Sequence, residues 1–157
     1  MSALYRILDP WYFDANTGAR VFATDGPFEV SDRIERIDDE LCRVRRTWRN
    51  QTDRSISFQP AFEVAAEFKA DHYLIPGVSY NGNPYGSGGE PKGLTRDGEP
   101  WIFEYAREGI PSCTLSENNE SALCLYASDE DPDSLRSSCS LIRQEDGTFR
   151  EASWDEA

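Results

Sequence analysis

Along most of the chain, short runs alternate apolar and polar residues with the two-residue period of a strand that has one face in and one face out. "FEVAAEFK" is the clearest, with Phe62, Val64, Ala66 and Phe68 on the inner face and Glu63, Ala65, Glu67 and Lys69 on the outer. "LCRVRRTWR" sets Cys42, Val44 and Trp48 against Arg43, Arg45, Thr47 and Arg49, and Arg46 interrupts its inner pattern. Further strands are predicted at "RVFAT", "FEV", "SISFQ", "HYLIPGVSY", "WIFEYA", "CTLSE", "ALCLYAS", "LRSSCSLI" and "TFREAS". In "ALCLYA" both alternating sets are apolar, which predicts a central strand covered on both faces. The Asp-Gly pair of "EDGTF" signals a hairpin. The acidic stretch from Ser31, carrying Ile34, Ile37 and Leu41 at helical spacing, reads equally as a short strand and a turn. About ten short strands with regular Gly, Pro, Asp and Asn punctuation imply an all-β fold, an antiparallel β-sandwich.

One long segment breaks this rhythm. "PGVSYNGNPYGSGGEPKGLTRDGEPW", residues 76–101, holds four of the chain's 11 glycines between Gly82 and Gly89. A loop this long is functional or disordered as a rule. Tyr80, Tyr85 and Trp101 frame it, and Pro76, Pro84, Pro91 and Pro100 restrict it, which argues for order. Glycine lets the backbone approach another surface or take positive φ. Asn81, Asn83, Glu90 and Lys92 add amide, carboxylate and ammonium groups. Aromatic planes beside such groups suit a sugar, whose ring has an apolar C–H face and a hydroxyl rim. Tyr80, Asn81, Asn83, Tyr85, Glu90, Lys92 and Trp101 are therefore the candidate substrate-binding residues, with a self-stabilised surface loop as the plain structural alternative. "GNPYGSGG" matches neither phosphate-binding glycine pattern.

At 157 residues the chain has the length of one domain, residues 1–157, able to bury a core without metal or disulfide staples. A formal charge of −13 opposes attraction to phosphate backbones and anionic membranes, so neither nucleic acid nor membrane is an expected partner. The N-terminus, "MSALYRILDPWYFDANTG", lacks a basic start and an apolar run of signal length, and the expected location is cytoplasmic. Cys42, Cys113, Cys124 and Cys139 are irregularly spaced, with His72 as the single histidine, so no metal and no cofactor are expected. Reduced thiols acting as small hydrophobes are the simplest account of Cys124 and Cys139. His72 also leaves no basis for a nucleophilic triad. Glu90, Glu99, Glu104 and Glu117 lie nearest the glycine loop and are the candidates for a glycosidase pair, but sequence does not give the separation such a pair requires. The outer arginines of "LCRVRRTWR" would form a basic stripe unless Glu63 and Glu67 of "FEVAAEFK" pair with them across strands.

"YLIPGVSYNGNPYGSGGEPKGL", "WIFEYAREGIPSCTLSENNESALCLYA" and "SLRSSCSLIRQEDGTF", taken in order, resemble the N-terminal β-sandwich region of bacterial proteins of the six-hairpin glycosidase type. In such proteins the sandwich precedes an (α/α)6 barrel. The resemblance covers roughly residues 55–157. It implies an ancillary domain of a carbohydrate-active protein, with a catalytic barrel in the same parent chain and carbohydrate as its partners and a loop that reaches the substrate pocket. The barrel supplies the acid and base in that family, so no catalytic residue carries over. An independent carbohydrate-binding module, or a structural or partner-docking domain without sugar contact, remain as rival readings.

Overall fold

The computed structural model describes residues 4–74, 100–103, 113–126 and 137–155. Twelve strands follow in chain order: β1 (Tyr5–Ile7), β2 (Trp11–Asp14), β3 (Arg20–Phe22), β4 (Phe28–Arg36), β5 (Cys42–Asn50), β6 (Phe58–Ala66), β7 (His72–Leu74), β8 (Pro100–Phe103), β9 (Cys113–Glu117), β10 (Ala122–Tyr126), β11 (Ser137–Arg143) and β12 (Phe149–Asp155). A 3-10 turn at Ala23–Asp25 is the only helical element among the described residues. All pairings are antiparallel. The fold is all-β, as the alternation predicts.

A seven-stranded sheet in the order β3-β2-β6-β12-β11-β8, with β1 beside the rest of β6, forms the first layer. Its centre is β6, which runs nine residues through what the sequence presents as two separate strands. Pro60 does not break it. The Ala15 N–H donates to the Ser57 carbonyl, which fixes the phase of the β2–β6 ladder so that Pro60 presents its nitrogen away from β2. On that side the β12 register ends at Ala61, so the missing N–H costs no ladder bond.

The second layer lies on one face of this sheet and has two parts. The sheet β10-β9-β7 covers β11 and β12, burying Tyr73, Leu141 and Phe149 in one cluster. The β4–β5 hairpin covers the other end, where Tyr12, Phe28, Trp48 and Phe58 meet with ring centroids 4.2 to 5.9 Å apart, mostly edge to face. On the opposite face of the large sheet, Trp11, Phe13 and Trp154 shelter one another over Ala61 and Ala152.

Four sequence expectations fail, each because tertiary position overrides local pattern. β6 is not half exposed: Glu63 on its supposed outer face is 1% exposed, since both faces of a central strand are covered. β10, expected at the centre of a sheet, is an edge strand among the described residues, with Ala122, Cys124 and Tyr126 exposed. Cys124 is accordingly not a core hydrophobe, whereas Cys139 is. The arginines of β5 do not pair with Glu63 and Glu67, because β5 pairs with β4, which supplies Glu35 to Arg43 and Asp32 to Arg46. The ambiguous stretch from Ser31 is strand to Arg36 followed by a turn, in which the Asp38 carboxylate accepts from the Glu40 and Leu41 N–H groups. The Asp-Gly hairpin forms as expected between β11 and β12, with Gly147 at φ +83. β1 and β2 were not foreseen, being too short for their alternation to stand out.

Phe149 sits between the layers against Tyr73, whereas Phe22 lies on the edge strand β3. Phe149→Ala is expected to cost about 3 to 5 kcal/mol in urea denaturation, through lost burial and the cavity left behind. Phe22→Ala should cost about 1 kcal/mol or less. Similar losses at the two positions would show that Phe149 is not between packed sheets.

Candidate functional site

Between the hairpin and the three-stranded sheet a groove of about 730 Å³ opens onto the large sheet. Pro60, Phe62 and Ser153 form its floor, Val44, Arg46 and Trp48 of β5 one wall, and Leu125 and Tyr126 of β10 the other. Arg46, the residue that spoils the inner pattern of its strand, is what fixes the hairpin wall. Its guanidinium donates two bonds of 2.8 Å to Asp32 on β4 and one of 3.1 Å to the Ala61 carbonyl, and it lies 4.8 Å above the Phe62 ring. A guanidinium can do this on an apolar face because its planar fork pairs with the carboxylate while its flat side covers the ring. Tyr126 is 54% exposed, and Ile37 and Leu41 of the hairpin turn are exposed at the mouth. The groove thus combines ring and aliphatic surface with guanidinium groups.

Two buried carboxylates flank this architecture without sharing a site. Glu151 projects from β12 towards the second layer, where Thr114 and Ser116 of β9 donate to it at 2.7 and 2.5 Å. Burial pushes its carboxyl up to about 7, against the two hydroxyls, which favour the charged form. Glu63 points the other way, because it pairs with Ala152 while Glu151 pairs with Val64. It accepts from Trp11 Nε1 at 2.7 Å and from Arg20 at 2.9 Å, and Arg150 stands 3.6 Å from its other oxygen. Arg20 in turn stacks on the Trp11 ring at 4.2 Å. Glu63 is therefore a compensated structural charge that ties β2, β3, β6 and β12 together.

Of the residues singled out from sequence, Tyr80, Asn81, Asn83, Tyr85, Glu90 and Lys92 lie outside the described residues, as do Glu99 and Glu104. Trp101 is in β8, in register with Leu141 of β11. Glu117 ends β9, opposite Ala122 on one side and His72 on the other, and His72 opens β7 as expected. Cys42, Cys124 and Cys139 carry thiols and form no disulfide. No cluster of metal-ligating side chains occurs among the described residues. Sequence reasoning missed Glu63, Glu151 and the groove. For Glu151 a signal existed: "TFREAS" places Phe149, Glu151 and Ser153 on one face, a carboxylate between residues suited to a core.

Because folded Glu151 keeps its proton to about pH 7 while its ordinary value is 4.5, the stability linked to that proton is complete below 4.5 and is lost as pH rises towards 7. Glu151→Gln keeps the shape and an acceptor for the hydroxyls but has no proton to lose. Stability of the native chain relative to this variant should fall by up to about 3 kcal/mol over that window. Parallel pH profiles for the two proteins would show that Glu151 is not buried as described.

No family model, curated protein or solved structure matches the chain, so its role has to be argued from its own residues.

Proposed function

We propose that the chain is an ancillary β-sandwich domain of a carbohydrate-active protein, packing on a catalytic helical barrel of the same parent chain and lending residues 76–101 to its substrate pocket. The carbohydrate element of this reading comes from the ordered motifs between residues 55 and 157 and from the aromatic and amide content of "SYNGNPYGSGGEP". Tyr80, Asn81, Asn83, Tyr85, Glu90, Lys92 and Trp101 are its proposed sugar contacts.

The geometric observation that supports an ancillary role is the divergence of Glu63 and Glu151. Glycoside hydrolysis needs two carboxyl groups on either side of one bond, about 5 to 9.5 Å apart and open to the sugar. These two point to opposite faces of one sheet and are 1% and 0% exposed. Neither can share a substrate with the other. A second reading, an independent carbohydrate-binding module, is favoured by one feature of the groove: the half-exposed Tyr126 lines one of its walls.

Two measurements test the proposal. The reading frame beyond Ala157 in the source genome should continue into repeated helical hairpins, and the 157-residue chain alone should not turn over a panel of aryl glycosides and oligosaccharides. Turnover that survives repurification and disappears in Glu117→Gln or Glu90→Gln would overturn the ancillary assignment.

A further inference from the structure

A strand that ends a sheet exposes a row of main-chain donors and acceptors, and the chain treats its edges unequally. Among the described residues β3, β7, β8 and β10 end their sheets with only three to five residues each. β4 runs nine residues, Phe28–Arg36, with no proline and no break in its register to β5, its one neighbour among the described residues. Every residue from Ser31 to Arg36 is exposed, whichever face of the strand it occupies. The Ile37 N–H donates to the Leu41 carbonyl at the turn, and the Gln51 N–H to the Pro27 carbonyl at the base, which puts the bonded pairs of the hairpin at odd-numbered residues. Asp32, Ile34 and Arg36 therefore direct their N–H and C=O groups away from β5, and among the described residues no main-chain bond meets them there.

We propose that this edge is a self-association surface, on which β4 of a second copy of the chain pairs antiparallel about a two-fold axis through Ile34. The segment Asp32-Arg33-Ile34-Glu35-Arg36 is complementary in charge to its own reverse. About that axis Ile34 meets Ile34 and Asp32 meets Arg36, in pairs that exchange both main-chain bonds through the groups β4 turns outwards. Arg33 meets Glu35 of the other copy in the closer, non-bonded pairs, and symmetry makes that contact twice. Sliding the copies by two residues either way sets Arg33 against Arg33 or Glu35 against Glu35 at the axis, which like charges disfavour. An axis further back, on Ser31, would need Phe28 to meet Ile34, and Phe28 is buried in the aromatic cluster.

The two charges that set this register are available for it. Arg33 has no ion pair among the described residues, and β5 places Arg45 opposite it, so its own hairpin offers no carboxylate there. Glu35 is 4.0 Å from Arg43 with both side chains more than half exposed, a pair too weak to occupy it. Asp32 and Arg36 keep their own partners, Arg46 and Asp39, and so meet across the interface without repulsion rather than as a new ion pair. Ile34, 57% exposed, covers its apolar surface against its twin. β5 is as long, but Cys42–Asn50 carries four arginines and no acid, and a second copy of it would be repelled. The net charge of −13 opposes self-association at low ionic strength, whereas beyond about 8 Å it is screened at physiological salt, where the contacts along β4 decide. Self-pairing through β4 does not depend on the carbohydrate reading, so each stands or falls separately.

The test is sedimentation of the 157-residue chain from low to high micromolar concentration at physiological salt. The native chain is expected to form a dimer and nothing larger. Arg33→Glu and Glu35→Arg each set like charges opposite one another twice across the interface, and each should weaken dimerisation at least about tenfold. Mixed together, the two variants restore opposite charges at both contacts and should form a heterodimer with about the native affinity. Hydrogen exchange of the native chain gives a readout that needs no variant. The amides of Asp32, Ile34 and Arg36 should exchange more slowly as concentration rises, while those of Arg33 and Glu35, already bonded to β5, should not change. The proposal is overturned by a chain that stays monomeric throughout, by Glu35→Arg dimerising like the native chain, which would move the axis to Ser31, by a mixture of variants that does not associate, by assembly beyond the dimer, or by a dimer that leaves the three outward amides unprotected.

Discussion

The structure depends on the burial of both faces of β6. A strand covered on two sides can hold no polar side chain without a partner, and every neighbour of β6 is arranged around that requirement. The Glu63 carboxylate meets it by drawing an indole N–H from β2 and a guanidinium from β3 to one oxygen, with the Arg150 guanidinium of β12 at 3.6 Å from the other. Glu151, on the adjoining strand and facing the other layer, meets it with two hydroxyls and by holding its proton more tightly. One carboxylate thus fastens strands within a sheet and the other fastens sheet to sheet, and this division of labour is why both are inaccessible to a ligand.

Fold class was legible because the period of two is set by the pleat and persists whatever the strand packs against. Layer assignment was not, since period alone does not say how many faces are covered. "FEVAAEFK" and "ALCLYAS" show the two directions of error: the amphipathic pattern belongs to the central strand and the apolar one to an edge. In the first case Glu63 is paired in the interior, whereas Glu67 and Lys69 lie past the end of the strand and are exposed. In the second, Leu123 and Leu125 are partly covered while their neighbours stay exposed. Arg46 was visible as an anomaly in its strand, and its meaning required the positions of Asp32, Ala61 and Phe62, which lie on other strands and are brought together only by the fold. The groove was beyond sequence reasoning for the same reason, being an interval between two elements rather than a property of either.

The hairpin is anchored unevenly. Its base is held by the cluster of Tyr12, Phe28, Trp48 and Phe58 and its middle by Arg46, while Ile34, Ile37 and Leu41 towards the turn remain exposed. A two-stranded ribbon has little stability of its own, so the base and the arginine determine where its free end points. That free end borders the groove, which places the least supported part of the second layer beside its interruption.

The position of β12 has a consequence for how the protein is made. The last strand in the described chain occupies the middle of the large sheet, between β6 and β11, and its partner β6 is separated from it by the greater part of the sequence. As the polypeptide leaves the ribosome, the hairpin can form from local contacts, yet β6 waits with one edge bare until Phe149–Asp155 has been synthesised. During that interval the bare strand edge is open to any other extended chain.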